Sequence, residues 1–390
     1  MSLQPRSALR RRIVPAALGT LSLLSALPAT AQPDHGRPSH AVPPPRPVTA
    51  AEARTDAYLN SVRDRPGLLR GFFLRLPKGG DLHNHLSGAV STEYLVKLAA
   101  DDGLCVDTTT MTAVAPPCGP GRRPAADART DHAFHEALLR AWSMDDVPPD
   151  QNGHDHFFDT FGKFGEVTWR HRGKMLAQVA NAIVRQNQLY LETMVSPASD
   201  SAKKLADEVG WDNDLTALHR KLVAGGKLDT LVAEARKEAD DADVEFRAAE
   251  HCGTRQARPG CRLTVRWISQ ASRGSSPERV FTQLALGMRL AARDQRFVAV
   301  NLVQPEDWDS SLRNYSLQMR MVGYLRNQYP KAHVTLHAGE LWTGLVKPQD
   351  LKFHIEEAVN VARTQRVGHG VDLVHEGDWQ QTARTMAARG

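Results

Sequence analysis

The sequence has four cysteines among 390 residues, and neither close pair, Cys105/Cys118 or Cys252/Cys261, has the spacing of a zinc knuckle. After the apolar run near its start it has no second one of membrane-spanning length, so a soluble mature chain is expected. It also has little basicity of its own. The net charge is +5, but residues 1–31 contribute four arginines and no acid, which leaves +1 for the remainder. That balance gives no ground for a nucleic-acid partner or an anionic membrane surface.

What is present begins with that leader. Arg6 and Arg10 to Arg12 precede an apolar run from Ile13 to Leu27, and Ala29-Thr-Ala31 offers a small-residue cleavage site. Residues 1–31 therefore read as a secretory signal peptide, with a periplasmic or extracellular destination and no membrane association after cleavage. Residues 32–50 carry six prolines among polar residues and read as an extended linker. The rest, 51–390, reads as one domain. An oxidising compartment favours two local disulfides, Cys105 with Cys118 and Cys252 with Cys261.

Within the domain a helical pattern covers 51–74, and a long non-strand region follows at about 90–188, with 116–130 as an exposed loop. Strand patterns are expected at Leu82–His85, Leu189–Val195, Leu263–Ser269, Phe297–Val303, His333–His337 and Arg366–Gly368. Helical patterns fall between the later ones, at Leu215–Ala239, Pro277–Asp294, Leu312–Gln328 and Pro348–Arg363. Alternation of this kind argues for an α/β fold with a parallel sheet. Phe157, Phe158, Phe161 and Phe164 recur at helical spacing and read as core, while Asp145-Asp146 reads as a solvated turn.

The chemistry-bearing stretch is His333-Val-Thr-Leu-His-Ala-Gly-Glu340. Period-two geometry puts His337 at the carboxyl end of a strand, and Gly339 permits a sharp bend before Glu340. His83 and His85, in Gly80-Asp-Leu-His-Asn-His-Leu86, point one way by the same geometry, and His369 stands between Gly368 and Gly370. Three histidines on strand ends can hold a zinc ion and leave a position open for water.

Three segments carry a family resemblance: Leu76-Pro-Lys-Gly-Gly-Asp-Leu-His-Asn-His-Leu-Ser-Gly-Ala89, Thr335-Leu-His-Ala-Gly-Glu340 and Arg366-Val-Gly-His-Gly370. Together they resemble the signature segments of adenosine deaminases, and the Pro-Lys-Gly opening with the leader is most similar to the secreted, growth-factor-type branch. The resemblance implies a (β/α)8 TIM barrel of the amidohydrolase type and one Zn2+ per chain held by His83, His85 and His337. It implies Glu340 as proton donor to purine N1 and His369 as the group that orients or deprotonates the attacking water. Substrate contacts would fall to His85, Ser87, Gln304 and Gly339. The implied reaction is hydrolytic deamination of adenosine to inosine and ammonia, and of deoxyadenosine to its deoxyinosine counterpart, so the expected partner is a small purine nucleoside.

Three departures qualify that expectation. Ser87 stands where the family has an aspartate, and Asn301-Leu-Val-Gln304 stands where it has Asp-Leu-x-Gly. The family's vicinal aspartates after the eighth strand find no counterpart after His369, so a barrel truncated after about six strands is expected. Alternatives therefore stand beside adenosine: another purine or adenosine derivative, or an inactive or signalling protein of the same family. The other zinc deaminase class, with His-x-Glu and Pro-Cys-x-x-Cys, is excluded by the cysteine pattern.

Overall fold

The computed structural model describes residues 47–390, so the leader and all but the last few residues of the proline-rich linker lie outside the described residues. The described residues up to Asn60 form one unit and Ser61–Gly390 a second. The helix Ala50–Val62, which begins in the first, opens on a reciprocal cap. The Glu52 carboxylate accepts the Thr49 N–H at 2.7 Å, and the Thr49 hydroxyl accepts the Glu52 N–H at 3.2 Å. No described helix is long and apolar enough to cross a membrane.

Nine strands run through the second unit: β1 Gly80–His85, β2 Cys105–Asp107, β3 Ala113–Val114, β4 Arg122–Pro124, β5 Tyr190–Val195, β6 Thr264–Ser272, β7 Phe297–Val303, β8 His333–Ala338 and β9 Arg366–His369. Six pair in the order β1-β5-β6-β7-β8-β9, and every pairing is parallel. Helices connect successive strands from β5 to β9, among them Pro277–Ala291, Asp309–Gln328 and His354–Asn360.

The sheet curls. In a flat sheet its first and last strands would lie about 24 Å apart, five spacings of about 4.8 Å. Instead the rings of His83 on β1 and His369 on β9 have centroids 5.1 Å apart. Across the interior, Arg366 of β9 pairs with Glu192 of β5 and reaches Thr335 of β8 at 3.3 Å. This is an α/β fold whose parallel sheet curls toward a barrel, with six strands among the described residues. Its inner apolar cluster is small (Met194, Ile268 and Ala299), whereas the large core lies between sheet and helices. There Gly287 lets its helix lie directly on Ser269 and Val300.

Several expectations need correction. The region at about 90–188 is not free of strands: β3, β2 and β4 form a small antiparallel sheet, tied by the Cys105–Cys118 bond. The expected loop at 116–130 therefore contains β4 and the 3-10 turn Ala125–Arg129. Strands of two or three residues are too short to show a period. The stretch 215–239 is two helices, Leu215–Val223 and Lys227–Ala249, broken where Gly225 and Gly226 take positive φ. The helix Ser199–Val209 was not anticipated. The helix expected from Pro348 starts at His354, because the Glu376 carboxylate accepts the Ile355 and Glu356 N–H groups there. A cap supplied from twenty residues away leaves no local signature. Of the phenylalanine stripe only Phe164 is fully buried; Phe161 covers Gly88, and Phe157 is exposed. Both cysteine pairs are bonded as expected, and Asp145 and Asp146 are exposed.

Candidate active site

The carboxyl ends of β1, β8 and β9 bring four imidazoles together. His83 Nε2 and His85 Nε2 each lie 3.1 Å from His337 Nε2. The His369 ring is 5.1 Å from both His83 and His337, centroid to centroid. Ligand atoms of His83, His337 and His369 all lie within 4.8 Å of one another. Among the described residues this is the one group so disposed; His85 approaches the cluster through His337, and its ring lies 5.6 Å from that of His83, centroid to centroid. The glycine before His369 is needed here, since a Cβ at Gly368 would collide with the His83 ring.

Hydrogen-bond partners identify which ring atoms are free to accept a cation. The Leu302 carbonyl, 2.7 Å from His337 Nδ1, can only accept, so Nδ1 carries the proton and Nε2 a lone pair. The Asn301 amide nitrogen, 2.8 Å from the same Nδ1, then cannot donate to it; it is also 2.9 Å from Met194 Sδ. Gln270 Oε1 lies 3.3 Å from His85 Nδ1 and fixes that ring in the same tautomer. Two lone pairs therefore face each other at 3.1 Å. Tetrahedral zinc with Zn–N bonds of about 2.0–2.1 Å sets its ligand nitrogens roughly 3.3 Å apart. The His83–His337 and His85–His337 separations suit such an ion, as does the charge state. Burial first, and neighbouring positive groups second, hold His83, His85 and His337 below the ordinary histidine range, with His85 at about 4.

Glu340 follows the bend at Gly339, where φ is +71°. Its carboxylate approaches His369 Nε2 at 3.7 Å. Burial, then the neighbouring Glu306 charge, pushes Glu340 up to about 7, which leaves a substantial protonated fraction at neutral pH. Ser87 is half-buried on the short helix Leu86–Ala89. Gln304 adopts φ +86°, a glycine-like conformation, and its side-chain oxygen accepts the Gly274 N–H at 2.9 Å. The side chain is turned onto the neighbouring loop.

Sequence reasoning missed the charged layer beneath these residues. Arg273, Glu306, His354 and Asp372 are all buried next to the His337–Glu340 turn. Arg273 and Glu306 lie within three residues of the ends of β6 and β7, the place where a barrel carries its functional groups, so their position was a usable signal. Also missed was His154. It stands between Asp155 at 2.9 Å and Asp307 at 3.2 Å and ties the Gly153–Thr168 helix to the loop after β7.

No family model matches the sequence, and neither does any of the curated proteins. Solved structures do resemble it. An Arabidopsis N6-mAMP deaminase is 16% identical, with 81% of this chain and 71% of that one covered and a TM-score of 0.44. A Burkholderia ambifaria amidohydrolase with bound zinc is 18% identical, with 83% and 65% covered and a TM-score of 0.43. An adenine deaminase from Arthrobacter aurescens is 13% identical, with 78% and 68% covered and a TM-score of 0.40. At such identities the roles of this chain's residues rest on their own geometry.

Proposed function

We propose that this chain is an exported, zinc-dependent hydrolase that converts adenosine to inosine and ammonia, and deoxyadenosine to deoxyinosine and ammonia, as its sequence resemblance to the secreted growth-factor-type deaminases implies. The observation that carries the proposal is the pair of lone pairs on His85 and His337 that face each other at 3.1 Å, with His83 Nε2 also 3.1 Å from His337 Nε2. One zinc held by His83, His85 and His337 would lower the pKa of a coordinated water toward about 7. His369 stays free of the ion in this assignment; beside Glu340, its ring orients the attacking water and accepts its proton. Glu340, protonated because it is buried, donates to ring N1 as water adds at C6, and ammonia leaves. Phe161, on the Gly153–Thr168 helix, packs close to Gly88 beside His85.

Ser87 and Gln304 favour a second reading, a different purine or adenosine derivative, because neither reproduces the contacts that the adenosine family makes. A third reading is an inactive or signalling relative. Zinc content and ammonia release, measured on the purified protein with adenosine, deoxyadenosine, adenine and AMP, separate these. One zinc with inosine formed from adenosine supports the first. Turnover confined to adenine or AMP supports the second, and absence of both zinc and ammonia release supports the third.

A further inference from the structure

We infer that the buried pair Arg273 and Glu306 is a positioning device that fixes the His337 ring and the Glu340 carboxyl relative to each other by gripping the backbone between them. The inference rests on the zinc-hydrolase reading for its purpose, though not for its geometry.

The turn from His337 to Glu340 cannot satisfy its own polar groups. Arg273 Nη2 donates to the His337 carbonyl at 2.6 Å. The Gly339 N–H donates to Glu306 Oε1 at 3.1 Å and the Glu340 N–H to Glu306 Oε2 at 2.9 Å. One carboxylate thus takes two successive amides, one on each oxygen. The carbonyls of Ala338 and Gly339 accept the Gly370 and Val371 N–H groups at 2.9 and 2.8 Å, which ties the same turn to the residues after His369. Backbone groups of the bend are therefore held almost entirely from outside it, by side chains following β6 and β7 and by the loop following β9.

The device is braced behind. Glu306 also accepts from His354 Nδ1 at 2.6 Å, with Arg273 Nη1 at 3.9 Å. The His354 ring stacks on Tyr315 at 3.7 Å between centroids, and Gln318 donates to the Arg273 carbonyl at 2.7 Å. Burial alone would favour protonating Glu306, yet His354 and Arg273 outweigh it and hold the group below the usual range, ionised and able to accept on both oxygens. Hydrogen bonds to a charged group are about twice as strong as neutral ones, and buried here they hold a glycine bend that would otherwise flex.

The experiment is amide hydrogen exchange combined with zinc competition against a chelator. In the wild type, the Gly339 and Glu340 amides should exchange as slowly as those of β8. Glu306→Gln keeps the shape but places an NH2 against one of the two donors. Exchange at these amides should then rise roughly tenfold to a hundredfold, the effect of losing one hydrogen bond to a charged group. Zinc affinity should fall about 10–100-fold, as for an outer partner of a ligand. Where turnover is measurable, kcat should fall with KM little changed. Leu284→Ala, a core change in the Pro277–Ala291 helix, should cost stability without altering exchange at 339–340 or zinc affinity. Equal exchange and equal affinity in Glu306→Gln overturn the inference. So does rapid exchange of Gly339 and Glu340 in the wild type, a result that needs no folded variant. Slow wild-type exchange that quickens in Glu306→Gln, in a protein inactive on every purine, supports the positioning device while removing the deaminase reading.

Discussion

The turns after β8 and β9 both aim a functional side chain at the same point, and they are built in opposite ways. The first bends at Gly339, whose positive φ costs little; the Glu306 carboxylate accepts its amides and Arg273 donates to the His337 carbonyl. The second places His369 itself at φ +72°, an unfavourable conformation for a side-chain-bearing residue. It then buries Asp372, neither of whose carboxylate oxygens has a hydrogen-bond partner. One turn is braced and the other strained. The braced turn carries His337, the most buried of the four clustered imidazoles, and Glu340; the strained one carries His369, which is exposed. Strain is tolerated there because β8 and the Gly370 and Val371 amides hold the chain on both sides.

The largest effect that would sharpen this contrast is on metal binding. His337→Ala and His85→Ala should each abolish stoichiometric zinc, whereas His369→Asn should retain it, as atomic absorption on the purified variants would reveal. Zinc lost from His369→Asn but kept by His85→Ala would assign the ion to His83, His337 and His369 instead. Next, His369→Asn should lower turnover about 10²–10⁴-fold, the range for a general acid–base group. Its thermal midpoint should not fall, because asparagine accepts positive φ more readily.

A third, smaller effect concerns Asp372. Burial raises its pKa to about 6, against about 3.9 for an unperturbed carboxyl. Its contribution to stability is therefore complete below about pH 4 and is lost as the pH rises through about 6. Asp372→Asn should melt with the wild type at pH 4 and be more stable by on the order of 2 kcal/mol at pH 8. A variant less stable at pH 8 would show that the carboxylate has a partner in the protein. The smallest effect is at Gln304. Glycine there would relieve about 1 kcal/mol of backbone strain and lose one hydrogen bond of about the same size. Urea unfolding of Gln304→Gly should shift by less than about 1 kcal/mol, and a larger loss would mean that the side chain does more than bond to Gly274.

Much of this was legible beforehand because the signals were local. All six parallel strands were placed within about three residues at either end, four of them from apolar β-branched runs and β1 and β9 from histidines flanked by glycine. His83, His85, His337 and His369 were selected from sixteen histidines by glycine flanks and strand ends, and the structure brings their rings together. What escaped was non-local. The helix cap at Ile355 comes from Glu376, the small antiparallel sheet has strands too short to pattern, and the partners of Glu306 and Arg273 are backbone groups of another loop.

By itself the sequence determined the alternation of strands and helices and the kinds of donor at each strand's end, because those depend on periodicity and on single residues. Only the tertiary structure decided which ring atoms face one another, which tautomer each ring takes and which buried charges hold the bend. Those depend on partners up to hundreds of residues apart, such as His83 and His337, which meet only when the sheet curls.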